Sequence, residues 1–171
     1  MTKKTICFAC SADVPDVEGP THPYMLSSPG CWKLYSEMLA LEYAARPYDA
    51  TVNRITVDTY AVSHPGRNER RAVQSVNGHL ISLYYILEKG VSGEQATKIL
   101  TRTLASPSLI HQFTWLDPPT LTNTLHITEV SHAPTLEAHK ALVRAWGKSV
   151  RHAWRAKHGS VVLSHAAQLH A

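Results

Sequence analysis

The sequence predicts an all-α protein, a single bundle of four to five helices with an N-terminal cysteine-bearing loop. Three observations predict it. Val73, Val76, Leu80, Leu83 and Leu87 recur three and four residues apart, a seam built for burial against another helix. Leu142, Trp146, Val150 and Trp154 draw a second such stripe late in the chain. The segments between them carry helix start and stop signals and little sustained strand alternation.

Residues 1–30 read as loop, with CFAC followed by DVPDVEGPTHPY, a stretch of Pro, Gly and acid. The first helix starts at SSPGCW. Ser28 is the expected N-cap, and Pro29 suits the first helical position, whose N–H needs no partner. Trp32, Tyr35, Met38, Leu39 and Tyr43 follow at helical spacing up to Pro47. Residues 50–63 are rich in β-branched residues and could form a strand. Val52, Ile55, Thr59 and Val62 nevertheless share one helical stripe, and a helix capped by Asp49 is the preferred reading. His64 closes it, because proline pushes the residue before it out of the α region.

The helix over residues 70–88 stops at Gly90, and Ser92 with Gln95 forms a capping-box pattern for the next one. Ala96, Ile99, Leu100, Thr103 and Leu104 make that helix's inner face, and Pro107 closes it. A long connection follows, anchored by Trp115 and Leu116, in which LHITEV reads as one short strand. The last helix runs from about Leu136 to Lys157, with Gly159 as its stop and a frayed tail holding His165 and His170. Residues 1–171 thus read as one domain: a metal-binding loop region at 1–30, a bundle at 31–158 and a tail at 159–171.

Composition narrows the function classes. No apolar run has signal-peptide or membrane-span length, so the expected compartment is the cytoplasm and no membrane partner is expected. Three cysteines cannot all pair, and in a reducing compartment CxxC spacing points to metal or redox chemistry. The net charge of +4 is concentrated late: no acid follows Glu137, while Lys140, Arg144, Lys148, Arg151, Arg155 and Lys157 do. A solvated helix face is the plain meaning of that run. Nucleic acid is not the expected partner, for want of interleaved exposed aromatics. There is no Gly-rich phosphate loop, GxSxG or HExxH.

The chemistry centres on DTYAVSHPG, residues 58–66, which sets an acid, a phenol and a histidine before a Pro-Gly stop. With Cys7 and Cys10 of the CxxC and Cys31 at the mouth of a helix, His64 completes a Cys3His zinc set. The linear gaps match no compact finger, so the fold has to assemble the site. The competing reading makes Cys7 and Cys10 exposed or a redox pair and Cys31 a small buried hydrophobe. Asp58 is a candidate to orient a histidine or to link to Arg or Tyr. His79, mid-helix with Ser75 one turn before it, is either a hydrogen-bonded core residue or an acid/base group facing His64 across a cleft, joined by Gln74. Tyr24, Tyr60 and Tyr84 offer phenols, though packing is the commoner task for such residues.

CFAC, YMLSSPGCW, VDTYAVSHPG, QSVNGHL, FTWLDPP and the late Trp-rich helix together resemble one small bacterial family of unknown function. The resemblance spans nearly the whole chain, and VDTYAVSHPG is its most specific part. It implies Cys7, Cys10, Cys31, Asp58, His64 and His79 as signature positions. The family's first knuckle often looks like CPxCG, and Phe8 and Ser11 here replace its Pro and Gly, which loosens the knuckle. The resemblance implies no activity, and metal-binding four-helix enzymes of the DinB type are an analogy of fold alone. The resulting expectation is a zinc-dependent enzyme acting on a small polar molecule. Cys7, Cys10, Cys31 and His64 would hold the metal, while Asp58 and His79 would handle protons. The alternative is a zinc-stapled binding or adaptor module without chemistry.

Overall fold

The computed structural model describes residues 3–169. Among them the chain is mainly α-helical, and the only sheet is a small antiparallel pair. Strand β1 (Lys4–Ile6) pairs with β2 (Asp13–Pro15), and the CxxC forms the turn between them. The N-terminal loop is therefore a hairpin, a feature too short for alternation to reveal. Five long helices make the bundle: α1 (Pro29–Ala44), α2 (Ala50–Ser63), α3 (Arg70–Lys89), α4 (Gly93–Ala105) and, after two short helices, α7 (Leu136–Ala167). The short ones are α5 (Pro107–Ile110) and α6 (Ile127–Ser131).

Helix α2 is the central element and packs against α1, α3, α4 and α7. Its ambiguity in sequence is resolved by its start, where Asp49 Oδ1 accepts the N–H groups of Thr51 and Val52 at 3.1 and 3.0 Å. Burial on several sides then favours the compact, internally hydrogen-bonded helix for a β-branched segment. Ser28 and Pro29 begin α1 as expected, although the Ser28 hydroxyl makes no capping bond. Gly90 ends α3 at φ 70°, and the Ser92–Gln95 capping box opens α4.

The connection after α5 is held by Phe113 and Leu116, both buried, while Trp115 is only half-buried. Asn77 Nδ2 donates to the Thr114 carbonyl at 3.0 Å and fastens this loop to α3. LHITEV is not a strand: its last four residues, Ile127 to Val130, lie in helix α6, with His126 as the N-cap. Leu125, Ile127 and Glu129 alternate, but the residues that reach the core are Ile127 and Val130, three apart, and no partner strand lies beside them. Local alternation over six residues cannot make a strand without a partner to complete its hydrogen bonds.

Trp146 and Trp154 are buried in the core, and Trp154 Nε1 donates to the Val62 carbonyl at 3.1 Å near the end of α2. The last helix does not stop at Lys157. It kinks at His158 (φ −130°, ψ 15°), whose Nε2 donates to the Asp117 carbonyl at 2.8 Å, and then continues to Ala167. Past the kink Val162, His165 and Ala166 are buried, and Tyr85 Oη donates to the Ala166 carbonyl at 2.9 Å. Gly159 thus sits beside a bend and not at an end. His170 lies outside the described residues.

Removing the segment after Lys157 takes away the buried Val162 and Ala166 and uncovers the α3 surface beneath them. Such a truncated chain is expected to lose about 2–4 kcal/mol of stability by urea denaturation. An unchanged unfolding midpoint would show that the segment contributes nothing.

Candidate metal centre and the buried polar groups around it

The CxxC turn is tight. Ser11 N–H donates to the Cys7 carbonyl at 2.9 Å and Cys7 N–H to the Ala12 carbonyl at 2.8 Å. Closing it places Ser11 in the left-handed region at φ 62°. This is the position where the expected pattern has glycine, and a side chain there is strained by about 1–2 kcal/mol. Ser11→Gly relieves that strain but adds freedom to the unfolded chain, worth about 0.4–1 kcal/mol. A net gain of roughly 0.5–1 kcal/mol in unfolding free energy is expected. A loss on calorimetry would contradict the geometry of the turn.

Two close approaches bring the other ligands in. A Cβ at Gly30 would lie 1.9 Å from the Pro15 carbonyl oxygen, so glycine lets the end of β2 press on the first turn of α1, where Cys31 sits. A Cβ at Gly66 would lie 2.1 Å from the Tyr24 carbonyl oxygen, so the HPG reversal closes onto the 21–27 loop. His64 ends α2 with its ring stacked on Tyr60 at 4.0 Å, and Tyr60 stacks on Tyr35 at 3.9 Å. His64 Nδ1 donates to the Tyr60 carbonyl at 2.8 Å, which turns Nε2 toward Cys31 Sγ at 3.1 Å.

The fold therefore joins Cys7, Cys10, Cys31 and His64, at 0%, 4%, 0% and 0% exposure. Their ligand atoms all lie within 4.8 Å of one another. Cys10 and Cys31 Sγ are 3.8 Å apart, too far for a disulfide, and all three cysteines are free. Sulfurs at two corners of a tetrahedron around an ion with bonds of about 2.3 Å stand roughly 3.8 Å apart, so this spacing suits zinc. An exposed CxxC does not fit this burial, and Cys31, buried as the competing reading also has it, lies beside the other sulfurs.

Electrostatics favours a cation here. Cys7 is held far below the ordinary thiol range by hydrogen bonds with Cys10 and then Cys31. Cys31 is pushed far above that range by Cys10 and Cys7 and then by burial. Sulfurs this close cannot all become thiolates without a positive charge among them. Burial works to lower the His64 pKa, but Cys10 and Cys7 outweigh it and raise it to about 9. The Tyr60 hydroxyl lies by Cys31 and Ser27, yet neither it nor Ser27 Oγ completes a hydrogen bond. A metal-bound thiolate is the acceptor such orphaned donors lack.

The structure does not bring Asp58 or His79 into this cluster. The Asp58 carboxylate is fully buried and meets His79 Nδ1 at 2.6 Å, with Arg54 Nη2 on the same oxygen and Ser82 Oγ on the other. Both the histidine and the arginine foreseen as its partners are thus present. His79, Gln74 and Tyr24 share a surface cleft. Tyr84 lies under the guanidinium of Arg151, 6.0 Å from its ring centroid. Arg151, expected on the solvated basic face, is buried, with Nη2 2.9 Å from Glu88 Oε1, and burial lowers its pKa.

Sequence reasoning missed a third polar group. Glu42 is buried and accepts from Asn53 Nδ2 at 2.9 Å, from His139 Nε2 at 2.9 Å and from the Thr56 hydroxyl. Its signal was available: Leu34, Met38 and Glu42 fall four apart, so the acid occupies a core-facing position of α1.

The family model described as "Family of unknown function (DUF5946)" matches residues 5–155, which hold all six predicted site residues. The chain belongs to this family. No curated protein and no solved structure matches it. The matched span ends at residue 155, so the family pattern takes in the Cys3His cluster and the Asp58 network but not the part of α7 beyond its kink.

Proposed function

We propose that this DUF5946 protein is a zinc-binding protein in which Cys7, Cys10, Cys31 and His64 hold one ion as a structural staple. The observation that carries the reading is the His64 ring: its Nδ1 is committed to the Tyr60 carbonyl, so Nε2 faces Cys31 Sγ at 3.1 Å beside the other two sulfurs, where an ion would replace its proton. Four protein ligands complete a tetrahedron, leaving no open position for water or substrate, which is the pattern of structural zinc. The ion would tie the β1–β2 hairpin, the start of α1 and the end of α2 together, and thiolate ligation would favour zinc over harder cations.

A second reading places chemistry elsewhere in the same protein. Asp58 and His79 make a carboxylate–imidazole pair beside a cleft, and this pair supports an enzyme acting on a small polar molecule without using the ion as a reagent. Nucleic acid is left out of the proposal because acids accompany most of the basic run. Glu137 meets Lys140, Asp49 stands near Arg144, and Glu88 serves Arg151 and Arg155. No helix among the described residues is long and apolar enough to cross a membrane.

Elemental analysis of the purified protein is expected to find about one zinc per chain. Cys7→Ser and His64→Ala should each lower the metal content and the melting temperature together, whereas His79→Ala should retain the metal. Structural zinc ligation is worth several kcal/mol, so a chelator should cost the protein most of its stability. A metal-free chain that stays fully folded with freely titrating thiols would sink the staple.

A further inference from the structure

The His79 ring is fixed at one nitrogen and open at the other. Its Nδ1 stands 2.6 Å from Asp58 Oδ1 and 3.2 Å from Arg54 Nη2; the shorter contact decides, because a lone pair facing a carboxylate at 2.6 Å would be repelled, so Nδ1 carries the hydrogen and Arg54 serves the carboxylate. Arg54 already pairs with Asp58, so the buried carboxylate has its countercharge without any contribution from the imidazole. Ser82 Oγ donates to the remaining carboxylate oxygen. Asp58 is thus a positioning residue whose acceptor atoms are all engaged. In the neutral ring Nε2 is left as a hydrogen-bond acceptor. It has no partner among the described residues, and it is not among the buried unpaired atoms.

That nitrogen belongs to a residue lining a cleft of 370 Å³, together with Tyr24, Arg71, Gln74, Ser75 and Leu104. The volume suits a small molecule and not a polymer. None of the Tyr24, Arg71, Gln74 and Ser75 side chains has a hydrogen bond or ion pair among the described residues. No acid lines the cleft, and Arg71 is its one full cation. Arg71, Gln74 and Ser75 occupy the first turns of α3 and His79 the next turn, so one rigid element presents both the cation and the acceptor.

We propose that this cleft is a binding site for a small hydroxylated anion. Arg71, helped by Gln74, holds the anionic oxygens, and His79 Nε2 accepts a hydrogen bond from the ligand's hydroxyl. The cationic fork and the acceptor discriminate differently: the first asks for charge, the second for an O–H donor. A carboxylate and a phosphate monoester share this chemistry. The inference rests on the Asp58–His79 pair of the second reading and is independent of the metal.

The test uses the full zinc-loaded chain with ¹⁵N-labelled histidine, followed by NMR while glycolate, glycerol phosphate or acetate is added. The Nδ1–H tautomer of His79 should be visible before any addition, which checks the pair on its own. Glycolate or glycerol phosphate should then shift the Nε2 resonance saturably, and acetate, which lacks the hydroxyl, should bind at least several-fold more weakly. Arg71→Gln, a change at an exposed residue, should weaken binding about tenfold, the loss of roughly 1.4 kcal/mol. Asp58→Asn should release the single tautomer; should that variant fail to fold, the Arg71 comparison still decides. A correct tautomer with no shift from either hydroxylated probe at tens of millimolar overturns the ligand class and leaves the pair standing. The opposite tautomer overturns both. Binding unchanged in Arg71→Gln overturns the anion site.

Discussion

One hydrogen bond sets the orientation on which the centre depends: His64 Nδ1 to the Tyr60 carbonyl, within the last turn of α2. The end of a helix leaves carbonyls without intrahelical partners. Here the Val62 carbonyl is used by the Trp154 indole of α7, and the Tyr60 carbonyl, which already takes the His64 backbone N–H at 3.1 Å, accepts the His64 ring as well. The same residues that finish the helix therefore aim Nε2 at Cys31 and pin α7 against α2. Pro65 and Gly66 turn the chain away at once, and the absence of a Cβ at Gly66 lets the turn lie against Tyr24. A small change in this corner would move a ligand, a core tryptophan and a loop together.

Helix α2 carries buried polarity along its length. Near its start, Asn53 and Thr56 serve the Glu42 carboxylate with His139; in the middle, Asp58 gathers Arg54, His79 and Ser82; at its end, His64 meets the sulfurs. A buried acid without donors costs several kcal/mol, and each of these acids has three. Such hubs fix which helix faces meet, because a shift of register would strand a carboxylate in an apolar layer. The apolar seams supply most of the burial, while the hubs select one packing among many.

The Cys3His cluster and the cleft beside His79 share one segment. Residues 21–27 run from the hairpin toward α1, pass Tyr24 into the wall of the cleft, and place Ser27 beside Tyr60 near the sulfurs. His22 packs edge-on against Tyr24 at 4.3 Å and against Trp32 at 5.4 Å, which steadies that wall. A metal bound at one end of this segment would stiffen the rim of a site at the other without taking part in its chemistry.

Much of the bundle could be read from residues 70–105 and from the apolar stripe of α7, because helical periodicity and capping are encoded within a few neighbouring positions. The ligand set was legible for the same local reason: a CxxC, a cysteine in the first turn of a helix and a histidine pinned by Pro-Gly are each visible alone. The sequence by itself determined the helices over 29–44, 70–89 and 93–105, the start of α7 and the four residues that cluster as a candidate metal set. Only the tertiary structure decided that Asp58 pairs with His79 away from the sulfurs, that Arg151 and Glu42 are buried, that LHITEV is not a strand, and that the chain past Lys157 returns to the core. Those outcomes depend on partners between 21 and 97 positions away, such as His79 for Asp58 and His139 for Glu42. No local window contains the energy of such contacts, which exists only once the helices have packed.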